Sequence, residues 1–113
     1  MKSYSQKTAE YLETDGWKIK EILTDNLEWW ADEIWCIESI WSPKGVHCYI
    51  TFLVDPQFEI NRQKGQGVWA LGLSSIFPKS RSDAQGSCTL SIGKCFKNEI
   101  EEFLLEAEKL RNI

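Results

Sequence analysis

The run from Glu33 to Asp55 constrains the fold more than any other part of the chain. It consists of two stretches rich in β-branched and aromatic residues, separated by the sequence Ser42-Pro43-Lys44-Gly45. Proline sets the backbone angle needed at the second position of a turn, and glycine tolerates the left-handed conformation that often follows a type I turn in a hairpin. The run therefore predicts an antiparallel β-hairpin.

Two registers of this hairpin are compatible with the sequence. A three-residue loop with a bulge at Gly45 pairs Glu38 with Ile50, whereas a two-residue loop pairs Ile37 with Ile50. The second register gives the cleaner apolar face, but the turn residues favour the first. Because a slip of one residue moves every side chain of one strand to the opposite face of the sheet, the sequence leaves open which aromatic rings are buried.

Hydrophobic spacing outside the hairpin predicts two helices. A short helix over residues 4–14 is expected to end at Gly16, whose backbone freedom suits a helix terminus. A longer C-terminal helix is expected to begin at Asn98, a good N-terminal capping residue. Its apolar face comprises Ile100, Phe103, Leu104, Ala107 and Leu110.

Three further segments have the alternating or continuous apolar pattern of strands. They are residues 17–23, 68–73 and 87–92. Together with the hairpin they predict an α+β fold. In this fold an antiparallel β-meander of about four to five strands carries a short N-terminal helix and a long C-terminal helix packed on the sheet.

The length and composition of the chain limit its organisation and its compartment. With 113 residues, positions 1–113 are expected to form a single α+β domain. No stretch approaches the roughly 18 apolar residues that span a bilayer, and the start MKSYSQKTAE lacks the apolar part of a secretory signal. We therefore expect a cytoplasmic protein without membrane contact. In that reducing compartment all cysteines should remain free thiols, namely Cys36, Cys48, Cys88 and Cys95.

Groups that could carry out catalysis are scarce in the sequence. His47 is the only histidine, no nucleophile-elbow motif occurs, and the glycines at 65 and 67 lead into a predicted strand instead of a helix. The four cysteines are separated by 12, 40 and 7 positions, which does not match the close pairs of zinc sites. We expect no cofactor and no metal site, and the sequence favours a non-catalytic role.

Glu38 is the most unusual single residue of the hairpin. It alternates along its strand with Ile34, Cys36 and Ile40, so a carboxylate lies within an otherwise apolar row. If that row is buried, the carboxylate must find a hydrogen-bond donor or take up a proton, since desolvation disfavours its charge. Glu38 is therefore a candidate site residue.

The adjacent rings of Trp29 and Trp30 form the second unusual feature. They stand among the four acids Asp25, Glu28, Asp32 and Glu33. Tryptophan is enriched at protein–protein hot spots, and flanking charge can steer a partner of opposite sign. Neighbouring side chains on an extended segment point to opposite sides, so one ring should be exposed or covered by a loop.

These features predict a small acidic, tryptophan-rich protein that binds, and could inhibit, another macromolecule in the manner of an immunity protein. With a net charge of −4, a basic protein is the expected partner and a nucleic acid is not. The predicted binding residues are Trp29, Trp30, Asp32, Glu33, Glu38, Trp41 and Tyr49.

Two other functions remain open. One is a small-molecule-binding domain with a pocket between the sheet and the C-terminal helix, lined by some of Trp35, Trp41, Tyr49 and Trp69. The other is a small enzyme, which would require Glu38, His47 or a cysteine to converge in such a cavity. The three functions differ in whether the aromatic residues are exposed, line a pocket or fill the core.

Overall fold

The computed structural model describes residues 4–24, 30–40, 47–54, 68–83, 85–89 and 96–111. These residues form two α-helices and one antiparallel sheet of five strands in the order β1-β2-β3-β4-β5. The elements are α1 (Tyr4–Thr14), β1 (Trp17–Leu23), β2 (Ala31–Ser39), β3 (His47–Val54), β4 (Val68–Ser74), β5 (Gln85–Thr89) and α2 (Phe96–Arg111). Each strand pairs with its neighbour in sequence, which confirms the predicted α+β meander.

The first helix ends where the sequence predicts. Gly16 adopts φ 82°, a left-handed conformation that suits glycine at a helix C-terminus. Thr8 and Leu12, one helical turn apart, are fully buried and therefore share the inner face of α1. The Gly16 carbonyl accepts a hydrogen bond from the amide of Ile40 at 2.9 Å, which ties the start of β1 to the end of β2.

The second helix begins two residues earlier than expected. It starts at Phe96, so Asn98 lies inside the first turn and the expected capping role is wrong. A capping residue must have a non-helical backbone, whereas Phe96 and Lys97 already have a helical one. The predicted apolar face is confirmed at Ile100, Phe103 and Ala107, which are fully buried, while the side chain of Leu110 lies outside the described part.

The main core lies between the two helices and one face of the sheet. Its members are Leu12, Trp17, Trp35, Ile37, Cys48, Ile50, Phe52, Leu71, Ile100, Phe103 and Ala107. The ring centroids of Trp35 and Phe52 lie 4.8 Å apart at this interface. The helices thus cover the face to which alternate residues of β2 and β3 point.

Neither predicted hairpin register is correct. Ile37 pairs with Cys48 and Trp35 pairs with Ile50, two residues away from the register of a two-residue loop. β2 ends at Ser39 and β3 begins at His47. The connection between them is therefore longer than the loop of two or three residues that Pro43 and Gly45 predicted. Because a shift of two residues preserves the face of every side chain, the apolar face of that register is nevertheless the one that is buried.

A smaller apolar cluster covers one end of the opposite face of the sheet. It contains Trp30, Ala31, Ile34, Leu53 and Ala70. The register shifts between Ala31 and Ile34, which indicates a bulge that contains Asp32 and Glu33. The Trp30 carbonyl accepts a hydrogen bond from the amide of Val54 at 2.9 Å, so this residue is held against β3.

Two neighbouring residues of α2 provide a matched test of this packing. Phe103 is fully buried, so Phe103→Ala should lower the free energy of unfolding by about 3 to 5 kcal/mol. Leu105 is exposed, so Leu105→Ala should change it by no more than about 0.5 kcal/mol. Urea unfolding of both variants measures the difference, and equal losses would show that α2 does not pack on the sheet through this face.

Candidate functional site

The face of the sheet opposite the helices, here called the outer face, carries a row of polar side chains. Cys36 pairs with Tyr49 and Glu38 pairs with His47 across β2 and β3. Each of these residues alternates with a core residue, so all four project away from α1 and α2. The register thus brings together a thiol, a carboxylate, an imidazole and a phenol that are distant in sequence.

Glu38 lies between the ammonium group of Lys20 and the imidazole of His47. Its Oε2 is 3.3 Å from Lys20 Nζ, and its Oε1 is 3.8 Å from His47 Nε2. The Glu38 side chain is 26% exposed. The row that contains Glu38 is therefore not fully buried, because this end of the outer face is partly open to solvent and Ile40 in the same row is exposed.

Cys36 and Tyr49 face each other across β2 and β3. Burial raises the pKa of the Cys36 thiol above its usual value; the nearby carboxylates of Glu21 and Glu38 raise it further, whereas the Tyr49 hydrogen bond and Lys20 act in the opposite direction. Burial also raises the pKa of Tyr49, with additional contributions from Cys36 and Glu21. Both groups therefore keep their protons at neutral pH.

This arrangement does not support nucleophilic catalysis. A reactive cysteine requires a lowered pKa and a neighbouring base, whereas the pKa of Cys36 is raised. Among the described residues, no hydrogen bond joins Cys36 to His47, whose ion-pair partner is Glu38. The part of the chain that the structure covers also contains no group of three or more His, Cys, Asp or Glu residues that could hold a metal ion.

Two of the tryptophan and acidic residues predicted to form a binding surface, Trp30 and Asp32, are buried in the fold. Trp30 and Asp32 are each only 6% exposed, and Glu33 is half-buried. Asp32 and Glu33 both have interactions within the chain. Trp29 and Trp41 lie outside the described residues.

Of the residues expected to line a ligand pocket, the two whose side chains the structure describes lie on opposite faces of the sheet. Trp35 points into the core beneath α2, whereas Tyr49 lies on the outer face. The side chains of Trp41 and Trp69 fall outside the described part. The layer between sheet and helix is filled by fully buried side chains, including Ile37, Ile50 and Phe103.

The helical layer carries a charge excess that the sequence analysis missed. The sequences of α1 and α2, with Asp15 at the end of α1, contain eight acids and four cations, Lys7, Lys97, Lys109 and Arg111. The acids are Glu10, Glu13, Asp15, Glu99, Glu101, Glu102, Glu106 and Glu108. The spacing of residues along the C-terminal helix could have predicted this excess, because every acid of α2 falls outside its apolar face.

Leu105 is exposed in the middle of these acids. Its side chain is 65% exposed, with Glu101 and Glu102 one turn before it on the helix surface and Glu108 and Lys109 one turn after it. Lys109 is already engaged by Glu106 at 3.1 Å. We call the group Glu101, Glu102, Leu105 and Glu106 the acidic helix surface.

Comparison with known proteins gives no match to any protein-family model, curated protein or solved structure. Neither described helix has the length and the apolar character that crossing a membrane requires. The function therefore has to be inferred from the surfaces of this chain alone.

The raised pKa of Cys36 predicts a pH-dependent stability. Above pH about 8.5 the unfolded thiol loses its proton while the folded thiol retains it, so the free energy of unfolding falls as the pH rises through the folded pKa. Cys36→Ser removes this contribution and keeps a hydroxyl beside Tyr49. Urea unfolding between pH 7 and 10 should give a shallower decline for the variant than for the wild type, and parallel curves would contradict the assigned environment of Cys36.

Proposed function

We propose that this protein is a non-catalytic binding protein whose partner is a basic protein, and that the partner docks on the acidic helix surface. The observation that carries the proposal is the exposed apolar side chain of Leu105 among several exposed glutamates, of which Glu106 is paired with Lys109. The absence of an activated nucleophile at the Cys36 and His47 cluster favours binding over catalysis.

The charge of the helical layer supports a basic partner. The net charge of the chain is −4, and α1, α2 and Asp15 together have the same balance, with eight acids against four cations. Like-signed charges within a Debye length, about 8 Å at physiological salt, add to a field that attracts a cationic surface and repels a nucleic acid backbone. This field would accelerate encounter with the partner.

Leu105 supplies an apolar contact that adds affinity to the electrostatic attraction. Exposed ion pairs contribute little net affinity, because solvent and salt screen them. A leucine that enters a pocket of the partner removes apolar area from water and slows dissociation. The proposal therefore assigns the rate of association to the glutamates and the lifetime of the complex to Leu105.

This location differs from the one expected from the sequence. The segment from Asp25 to Glu33 was expected to bind the partner, but Trp30 and Asp32 have little surface to offer. The acidic helix surface has the same chemistry, carboxylates around an apolar side chain, in an exposed position. By covering a basic surface, the protein would inhibit any activity of its partner that uses that surface.

Charge reversal and truncation separate the two contributions. The immobilised full chain should capture its partner from native cell extract, and the purified partner should then be measured by surface plasmon resonance. Glu102→Lys should slow association and reduce its dependence on salt. Leu105→Ala should mainly speed dissociation and weaken binding by about fivefold or more.

Glu21→Lys is the matched control, because it makes the same charge change at an exposed position of β1. It should leave both rate constants near those of the wild type. A captured partner that is acidic, or that binds the Glu102 and Leu105 variants as tightly as the wild type, would refute the proposed function.

A further inference from the structure

We infer that β1 is a docking edge for a second copy of this chain, whose own β1 pairs with it in antiparallel register so that the two sheets become one. Such a dimer goes beyond the proposed function, which uses the helical side of a single chain. Three features support the dimer: an open sheet edge, an irregularity within β1 and the side chains on either side of it.

β1 forms one edge of the sheet. It pairs with β2 on one side, and no described strand pairs with it on the other. β5, at the opposite edge, lies against α2. Backbone amide and carbonyl groups on an unpaired edge can form hydrogen bonds with another strand. Most side chains of β1 are also exposed, namely those of Lys18, Lys20, Glu21 and Ile22.

The alternation of side chains along β1 is interrupted once. Ile19 and Glu21 face adjacent residues of β2 although two steps separate them, which indicates a β-bulge. Lys20 is the extra residue, and its Nζ reaches the outer face at 3.3 Å from Glu38. The residues of β1 on the core face are therefore Trp17, Ile19 and Ile22, and those on the outer face are Lys18, Lys20, Glu21 and Leu23. A regular strand does not match this order, because it alternates without interruption.

A second copy matches the order when the two bulges lie opposite each other. If Lys20 faces Glu21 of the second copy, both side chains lie on the outer face. In the same register Ile19 faces Ile22, and both belong to the core face. Every opposing pair within residues 18–23 then shares a face, whereas a shift by one or two residues in either direction pairs residues from opposite faces. Two-fold symmetry makes each of these contacts occur twice.

The side chains of this register attract one another. Ile22 is 46% exposed in the single chain, and Ile19 of the second copy would cover part of its apolar area. The exposed carboxylate of Glu21 would face the ammonium group of Lys20. Lys20 is 44% exposed and has three hydrogen-bond donors, so it can bind this carboxylate and keep Glu38.

The balance of charge at this edge favours a second copy over a strand of one sign. A purely acidic strand would leave Glu21 opposite a like charge, and a purely basic strand would do the same to Lys20. The matching strand carries one carboxylate and one ammonium group in the reverse order. An antiparallel copy of β1 has this order. Lysine on an edge strand ordinarily discourages pairing, but in this register it faces a carboxylate.

Charge-reversed variants of the full chain test the dimer without any other partner. By analytical ultracentrifugation, the wild type should associate reversibly as its concentration approaches about 1 mM. Glu21→Lys and Lys20→Glu each put like charges opposite one another at two places, so each variant alone should dimerise about tenfold more weakly or worse. An equal mixture of the two variants should associate again, because each supplies the charge that the other lacks.

Two further measurements locate the contact. Phe77→Ala, which removes an exposed ring away from β1, should leave the dimer unchanged. Isotope-filtered nuclear Overhauser spectra of mixed labelled and unlabelled wild-type chains should show contacts between Ile19 of one copy and Ile22 of the other.

Three results would overturn the β1 dimer. They are a wild type that stays monomeric at about 1 mM, a mixture that associates no better than either variant alone, and contacts between copies that lie outside β1. The acidic helix surface is tested separately, because its experiment measures the rate constants of a basic partner.

Discussion

The pairing of Ile37 with Cys48 across β2 and β3 is the interaction on which the rest of the structure depends. Side chains alternate along each strand, so this single pair determines the faces of the paired residues 34–38 and 47–51. Trp35 and Ile50 thereby enter the core beneath α2. The same alternation places Cys36, Glu38, His47 and Tyr49 together on the outer face, where their polar groups contact one another and solvent.

Covering only one face of the sheet gives the protein two chemically different sides. The helices bury their apolar residues against the sheet and turn their glutamates outward, which concentrates negative charge on that side. At one end of the outer face, Lys18, Lys20 and His47 surround Glu38 beside the exposed Phe77. We interpret the helical side as the surface for the proposed basic partner.

Local patterns predicted the elements of the fold, whereas long-range constraints decided the site. The helix over residues 4–14, its end at Gly16 and the strand over residues 17–23 follow from spacing and backbone preference, and all three are confirmed. The register did not follow, because it depends on where the strands end and not on the turn residues alone. The sequence left open whether the row of Glu38 is buried, because alternation does not reveal which face the helices cover. The burial of Asp32 did not follow either, because a bulge interrupts the alternation at this residue.

Nuclear Overhauser contacts between β2 and β3 test the central claim most directly, because they report which residues face each other. The structure predicts cross-strand contacts between the backbone protons of Cys36 and Tyr49, of Ile37 and Cys48, and of Glu38 and His47. Contacts between Glu38 and Ile50 would contradict it. They would put the carboxylate of Glu38 on the core face, opposite the other polar side chains of the row.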